Sequence, residues 1–302
     1  MHEIEKRGKL LLTSEYLVLD GADALALPTK AGQKFTIEST GAQTLEWTAK
    51  LVDGTAWFTA TFNLPLKINE PSKNDLANTL LHILREAQKL NTLFLDNLEG
   101  YTITSQLGFD KNWGLGSSST LIAFIAQWAQ VDRYALLATT FGGSGYDLAC
   151  ADAKSSILYT MTKKEPIIRA AHFDPPFKDE LFFIYLNKKQ NSRDSIAHYR
   201  ATPKEDIAKA IAEINKLTEA IRTSQTLIHF EQCLIEHEKL ISKTIKTSRT
   251  QDTLFPDYTG VIKSLGGWGG DFVLATGTSS VVRAYFESKG YTTIISYSDM
   301  IL

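Results

Sequence analysis

The chain has 302 residues, 43% hydrophobic and 22% charged, which is enough for one large domain or two of medium size with an ample core. A formal net charge of -2 argues against a nucleic-acid partner, and the absence of a long apolar run or a basic segment argues against a membrane partner. The charged N-terminus lacks the apolar stretch of a signal peptide, so we expect a cytoplasmic protein whose two cysteines, Cys150 and Cys233, are free thiols.

Apolar runs and alternating patterns predict mostly strands in the first half of the chain. The predicted strands cover residues 10–13, 17–19, 35–39, 44–48, 57–62, 101–105 and 156–161. A helical period predicts an amphipathic helix over 75–90, with Leu80, Ile83 and Leu84 on its apolar face. Two further helices are predicted over 121–130 and 147–153.

The second half has longer helical patterns. Lysines and prolines within residues 163–176 indicate a junction, and we expect two α+β domains, residues 1–165 and 166–302. After a strand over 181–186, helices are predicted over 204–223, 227–245 and 258–265. A closing β-α-β unit is predicted from residues 272–276, 280–289 and 292–297.

A glycine- and serine-rich loop over residues 113–120 is the most informative segment. Glycine lets the backbone approach a ligand, and the following helix adds N–H groups and the positive end of its dipole. These features predict a phosphate cradle for a nucleotide, although serine also caps helices in loops without a ligand. The loop matches neither a P-loop nor the dinucleotide G-x-G-x-x-G pattern, since position 119 is serine.

Two more glycine clusters occur later in the chain. Residues 141–147 place Asp147 after a glycine turn, where an aspartate either caps a helix or serves a site. Residues 266–270 contain four glycines and precede an apolar strand, as in any tight connection between elements. The three turns taken together favour a backbone shaped around one anionic ligand.

With these motifs in order, the sequence resembles the GHMP kinases, which phosphorylate galactose, homoserine, mevalonate and phosphomevalonate. The first family motif resembles residues 8–16, and the ATP loop P-x-x-x-G-L-G-S-S is similar to residues 110–118. The third motif is similar to residues 266–270, and the S-G-x-D segment of the mevalonate kinase branch resembles residues 144–147. The resemblance implies an α+β fold with an N-terminal left-handed β-α-β domain and a C-terminal ferredoxin-like domain.

The resemblance also implies ATP, Mg²⁺ and a set of site residues. Asp147 would be the catalytic base, and Lys9 would keep it ionised. Ser118 would coordinate Mg²⁺. The cofactor-binding residues would be Gly114, Leu115, Gly116, Ser117, Ser118 and Ser119. The substrate-binding residues would be Glu15, Tyr16, Ser144, Gly145, Gly267, Gly269, Gly270 and Arg193.

Several positions depart from the mevalonate kinase pattern. Asp110 replaces the proline of the ATP loop, and Leu136 stands where a magnesium-binding glutamate is usual. Tyr16 replaces a histidine and is more similar to the phosphomevalonate kinases. The expectation is therefore a kinase for a mevalonate-like alcohol. A phosphomevalonate or sugar kinase, a diphosphomevalonate decarboxylase and a non-catalytic sensor stay open, and so does a homodimer.

One other arrangement of polar residues could hold a metal ion. His229, Cys233 and His237 recur every four residues on a predicted helix. With no fourth ligand evident, the preferred interpretation is an ordinary helix surface without a metal.

Overall fold

A computed structural model describes residues 1–66, 74–96, 99–203 and 205–302. The predicted start of a helix at Lys204 lies outside these described residues. The strands are β1 (His2–Leu11), β2 (Asp23–Thr40), β3 (Thr44–Lys50), β4 (Ala56–Asn63), β5 (Gly100–Leu107), β6 (Ile157–Thr160), β7 (Ile167–Ala170), β8 (Leu181–Tyr185), β9 (Ile262–Ser264), β10 (Phe272–Thr276) and β11 (Ile294–Ser296).

The described α-helices follow β4 in the chain, several of them in succession. They are α1 (Asp75–Leu90), α2 (Ser117–Ala129), α3 (Arg133–Thr139), α4 (Tyr146–Ala151), α5 (Ser192–Ala201), α6 (Ile207–Thr223), α7 (Leu227–Ile245), α8 (Thr250–Leu254), α9 (Ser279–Ser288) and α10 (Tyr297–Met300). In the part of the chain that the structure describes, no helix is both long and apolar enough to cross a membrane.

The chain divides into two compact units. The first comprises Met1–Gly8, Ala31–Lys111 and Gly116–Asp152. The second comprises Lys9–Lys30, Asn112–Leu115 and Ala153–Leu302. The predicted boundary between residues 165 and 166 stays a prediction.

The first unit contains a sheet in the order β4-β3-β5-β2, with β3 parallel to β5 and the other pairs antiparallel. Helices α1 and α2 contribute to the apolar core that this sheet shares, and the Phe35 and Phe124 rings stack 4.1 Å apart in it. Helix α1 occupies its predicted range because Asn74 caps its first N–H groups and its apolar face is buried. Helix α2 is apolar nearly all round, as a buried helix is.

The second unit contains an antiparallel sheet in the order β11-β8-β10-β9. Strands β8, β9, β10 and β11 are separated by α5–α8, a short turn and α9, which gives the β-α-β-β-α-β order of a ferredoxin-like domain. Residues on α6 and α7 share an apolar cluster that includes Ile214, Ile241 and Trp268. This topology confirms the ferredoxin-like prediction.

The second unit also contains a ladder formed by β2, β6 and β7, in which the short strand β7 is the last. Here β2 pairs with β6, and β6 pairs with β7, all antiparallel. All four residues of β7 are exposed, and Arg169 forms an ion pair of 2.9 Å with Asp23. Strand β7 therefore presents an open edge that carries one paired charge.

Two predicted elements were wrong. Residues 17–20 form a short 3-10 helix rather than a strand, with positive φ angles of 64° at Ser14 and 65° at Tyr16 just before it. Residues 258–265 contain β9 rather than a helix, because Gly260 approaches β10 so closely that an added Cβ would lie 2.2 Å from the Thr276 carbonyl oxygen. Short apolar runs do not distinguish strand from helix without such contacts.

Candidate functional site

In the first unit, the predicted cofactor-binding loop leads directly into α2. Gly116 has a φ of 92° and is the N-cap of α2. Among the described residues, none caps this end through its side chain, and the first turn holds no acidic residue. Ser118 is exposed there. The first N–H groups of a helix point outward with a positive partial charge, so this end suits an anion.

Asp147 lies beside this helix start. The Ser119 hydroxyl donates a hydrogen bond to Asp147 Oδ2 at 3.3 Å. Asp147 is in the first turn of α4, whose N-cap is Gly145, so it is not the cap that the alternative interpretation required. Positive φ angles at Gly142, Gly143 and Gly145 shape the preceding turn, which includes the half-buried Ser144. The structure thus brings the predicted base next to Ser119 of the predicted cradle.

A charged cluster holds the C-terminal end of α4. Lys6 is 2% exposed and donates to Gln127 Oε1 at 2.6 Å and to Asp152 Oδ1 at 2.5 Å. Arg133 reaches Asp152 Oδ2 at 2.5 Å and donates to the Leu148 carbonyl at 3.2 Å. Burial opposes ionisation of Asp152, but the Lys6 hydrogen bond and the Arg133 charge lower its pKa overall. We call Lys6, Arg133 and Asp152 the α4 clamp.

In the second unit, Lys9 lies against the first residues of the glycine loop. Its backbone N–H donates to the Leu115 carbonyl at 3.0 Å, and its Nζ donates to the Gly114 carbonyl at 3.2 Å. Lys9 is half-buried. The two bonds hold its ammonium group beside the loop.

Asp271 is a neighbour of this loop that the sequence prediction missed. A Cβ added to Gly114 would lie 2.3 Å from the Asp271 carboxyl carbon, so these residues are in direct contact. Asp271 Oδ1 accepts from the Gln190 N–H at 2.9 Å. Burial raises the Asp271 pKa, while the Gln190 bond and the Lys9 charge act in the other direction. The sequence signal that could have identified Asp271 is its position as an acidic residue directly after the 266–270 turn.

The glycine turn over residues 266–270 has two kinds of glycine. An added Cβ would lie 2.9 Å from Gln190 Cγ at Gly267 and 2.8 Å from the Lys188 carbonyl oxygen at Gly270. Gly269 instead has a φ of 91° and open space where a Cβ would be. Of the three predicted substrate-binding glycines, Gly267 and Gly270 therefore have no room for a side chain, whereas the space beside Gly269 is open.

Tyr16 and Glu15 contact the protein interior. The Tyr16 hydroxyl accepts from the Trp268 N–H at 3.1 Å, and the Tyr16 and Tyr199 ring centroids lie 5.4 Å apart. Glu15 is 1% exposed and is hydrogen-bonded to Lys263. The predicted contact between Glu15 and a substrate would require this buried pair to open. Arg193, by contrast, is exposed at the start of α5.

The structure also locates the positions considered for a metal. Leu136 is fully buried in the apolar core of the first unit. His237 is buried and accepts from the Ser14 N–H at 2.9 Å, and Cys233 Sγ lies 3.7 Å from His229 Nε2. Both cysteines are free. Among the described residues, no group of three or more His, Cys, Asp or Glu side chains could hold a metal ion.

The fold is similar to several solved structures. Phosphomevalonate kinase of Streptococcus pneumoniae, in complex with phosphomevalonate and AMPPNP, has a TM-score of 0.73 and 15% identity, covering 98% of this chain and 100% of its own. Galactokinase of Lactococcus lactis, complexed with galactose, has a TM-score of 0.71 and 12% identity, with coverage of 99% and 93%. Mevalonate kinase of L. major, in complex with R-mevalonate, has a TM-score of 0.68 and 13% identity, with coverage of 98% and 95%.

The chain therefore has the GHMP kinase fold, as the motifs predicted. No family model matches the chain, and no curated protein matches its sequence.

Proposed function

We propose that the protein is an ATP-dependent kinase that transfers the γ-phosphoryl group of ATP to a hydroxyl of a small molecule. The observation that carries the proposal is the contact of 3.3 Å between Asp147 and Ser119, in a chain with the GHMP kinase fold. It puts a carboxylate next to the uncapped N-terminus of α2, where a phosphate would bind. Phosphoryl transfer needs an anion cradle and a base within reach of each other.

Each residue has a chemical role in this proposal. The backbone of residues 114–119 would hold the triphosphate, and Asp147 would accept the proton of the attacking hydroxyl. Lys9, held at Gly114, would stabilise negative charge on the phosphates. Ser144 and Gly145 would shape the side of the turn before Asp147 that faces the acceptor molecule.

The oxygen atoms present fit Mg²⁺. Ser118 is exposed at the α2 N-terminus. The next residue, Ser119, donates a hydrogen bond to the Asp147 carboxylate. Hydroxyl, carboxylate, phosphate and water oxygens are the ligands that Mg²⁺ takes in nucleotide sites. Bound Mg²⁺ would neutralise charge on the phosphates. Because Leu136 is in the core, no side chain at that position would assist.

For the acceptor, we propose a mevalonate-like alcohol, with phosphomevalonate as the main alternative. Two observations support this acceptor. Residues 144–147 match the S-G-x-D motif, and mevalonate and phosphomevalonate kinases are among the structures with this fold. A galactokinase shares the fold equally well, so sugars belong in the same test.

The test is ADP release with Mg²⁺-ATP and a panel of mevalonate, phosphomevalonate, homoserine, galactose and sugar phosphates. We expect ADP and a phosphoester with mevalonate or phosphomevalonate. A sugar that exceeds both by tenfold in kcat/KM would overturn the acceptor and leave the kinase. Carbon dioxide release would indicate a decarboxylase, and no ADP with any acceptor would contradict the proposal.

The Asp147→Asn variant tests the base. We expect turnover to fall by about two to four orders of magnitude with nucleotide affinity retained, because amide nitrogen cannot take the proton. The Asp132→Asn variant is the matched control, since Asp132 is the N-cap of α3. Near-normal turnover in Asp147→Asn would remove Asp147 from catalysis.

A further inference from the structure

Four ionisable side chains lie together inside the second unit. Glu15 follows β1, His237 and Glu238 are on α7, and Lys263 is on β9. Their exposed fractions are 0–1%. Charges this deeply buried are costly unless they are paired and hydrogen-bonded. We call these residues the Lys263 cluster.

The contacts of the cluster centre on Lys263 and Glu238. Lys263 Nζ donates to Glu15 Oε1, to Glu238 Oε1 at 3.4 Å and to the Ser264 carbonyl at 2.8 Å. Glu238 also accepts from the Ser264 N–H at 3.2 Å and from the Ser264 hydroxyl at 3.3 Å. Glu238 is thus bonded to the strand end that leads into the glycine turn two residues later.

The cluster has two carboxylates for one ammonium group. His237 does not supply a second cation, because its Nε2 accepts from the Ser14 N–H and burial lowers its pKa well below the usual value. Arg249 also acts on Glu238 electrostatically, but it is paired with Asp252 at 2.6 Å. Burial raises the pKa of Glu15 and raises that of Glu238 to about 7.

Glu15 connects this cluster to residues 14–16, which we call the Tyr16 turn. It stands between Ser14 and Tyr16, both of which have positive φ angles that persist only when the surroundings hold them. The Tyr16 hydroxyl in turn accepts from the Trp268 N–H inside the glycine turn. Lys263 therefore supports both sides of this hydrogen bond, through Glu15 on one side and through β9 on the other.

We propose that Glu238 is a positioning residue that carries one exchangeable proton, and that this proton sets how firmly the Tyr16 turn is held to the glycine turn. With Glu238 protonated, one ammonium faces one carboxylate, and the Glu15–Lys263 pair is balanced. When Glu238 loses the proton, a second negative charge competes for Lys263 and weakens its bond to Glu15. Any effect on catalysis rests on the proposed kinase function, whereas the proton and the turn do not.

The proton is tested by infrared spectroscopy of the ligand-free protein between pH 5.5 and 8.5. We expect the carbonyl band of a buried protonated carboxyl at low pH, lost with a midpoint near pH 7. The band should be absent in Glu238→Gln and unchanged in Glu236→Gln, a control at an exposed position on the same helix. No band in the wild type, or the same band in Glu238→Gln, would overturn the proposal.

The positioning role is tested by hydrogen exchange of peptides that cover residues 264–270, corrected for intrinsic exchange. If the Glu238 pKa differs by one unit between the held and the opened turn, protection changes by about tenfold. We expect protection to fall from pH 6 to pH 8 in the wild type and in Glu236→Gln, and to stay constant in Glu238→Gln. Protection that is independent of pH in the wild type would contradict the role.

Two features keep the test decisive. Should Glu238→Gln not fold, Glu238→Asp retains the acid and should shift the midpoint of the infrared band, whereas a carboxyl elsewhere would leave it in place. Neither measurement uses ATP or an acceptor. A protein that releases no ADP but shows the Glu238 proton would therefore refute the kinase proposal alone.

Discussion

The α4 clamp of the first unit and the Lys263 cluster of the second unit place the same residue type in opposite surroundings. Lys6 and Lys263 are both buried, and each donates to a carboxylate. In the clamp, Lys6 and Arg133 share one carboxylate and lower the pKa of Asp152. In the cluster, one lysine faces two carboxylates, whose pKa values are raised. The ratio of cations to carboxylates thus decides whether the neighbouring charges overcome the effect of burial, which disfavours the ionised carboxylate at both sites.

The largest expected difference between the two sites is the cost of losing the lysine. Lys263→Met leaves two buried carboxylates without a cation, and we expect the free energy of unfolding to fall by about 3–5 kcal/mol. Lys6→Met leaves Asp152 paired with Arg133, so a smaller loss of about 1–3 kcal/mol is expected.

Chemical denaturation measures both values, with Lys239→Met as the exposed control. Equal losses in Lys6→Met and Lys263→Met would contradict this expectation, because the Arg133 charge that remains beside Asp152 would then have no effect.

The two sites should also respond to pH with opposite signs. Glu238 has a raised pKa of about 7 against an ordinary 4.5, so its contribution is complete below pH 4.5 and is lost as the pH rises to 7. That loss is about 3 kcal/mol. Asp152 has a lowered pKa, so its contribution is present at neutral pH and is lost on acidification below its ordinary value of 3.8.

Unfolding free energies from pH 3 to 8.5 would separate the two responses. Glu238→Gln should remove the loss between pH 4.5 and 7, and Asp152→Asn should remove the loss below pH 4. A Glu238→Gln profile parallel to that of the wild type would refute the assignment.

The smallest effect concerns the two carboxylates of the Lys263 cluster. Glu15 contacts Lys263 more closely than Glu238 does, at 3.4 Å. At pH 5, where Glu238 holds its proton, we expect Glu15→Gln to cost about 1–3 kcal/mol, because it breaks the closer charged hydrogen bond. Glu238→Gln should change stability by less than about 1 kcal/mol at this pH, since a neutral amide replaces a neutral carboxyl and its oxygen still accepts from the Ser264 N–H. The reverse order in thermal unfolding would assign the excess charge to Glu15.

The sequence predicted elements well where local signals agreed. Helices α1 and α7 occupy the predicted ranges because a regular apolar period coincides with a capping residue, Asn74 or Thr226. The motifs in the sequence made the glycine loop and Asp147 candidates for the site, and the structure brings Ser119 and Asp147 together.

The clamp and the cluster could not be predicted in this way. Lys6 and Asp152 are 146 residues apart, and Lys263 and Glu15 are 248 apart. Nothing local distinguishes these charged residues from exposed ones, since their pairing depends on the tertiary fold. The 3-10 helix after Tyr16 was missed for a related reason. The positive φ angles of Ser14 and Tyr16, which precede it, are held by distant contacts with His237 and Trp268.

Strand β7 has a consequence for solubility at high protein concentration. In the part of the chain that the structure describes, no strand pairs with its outer edge, which carries Ile167 and Ile168, 52% and 46% exposed. Such an edge can template the addition of a strand from another molecule. Three features oppose this: the strand is four residues long, Pro166 precedes it, and Arg169 keeps a charge on it. We therefore expect Arg169, together with Pro166, to limit strand addition at this edge, as gatekeeper residues do.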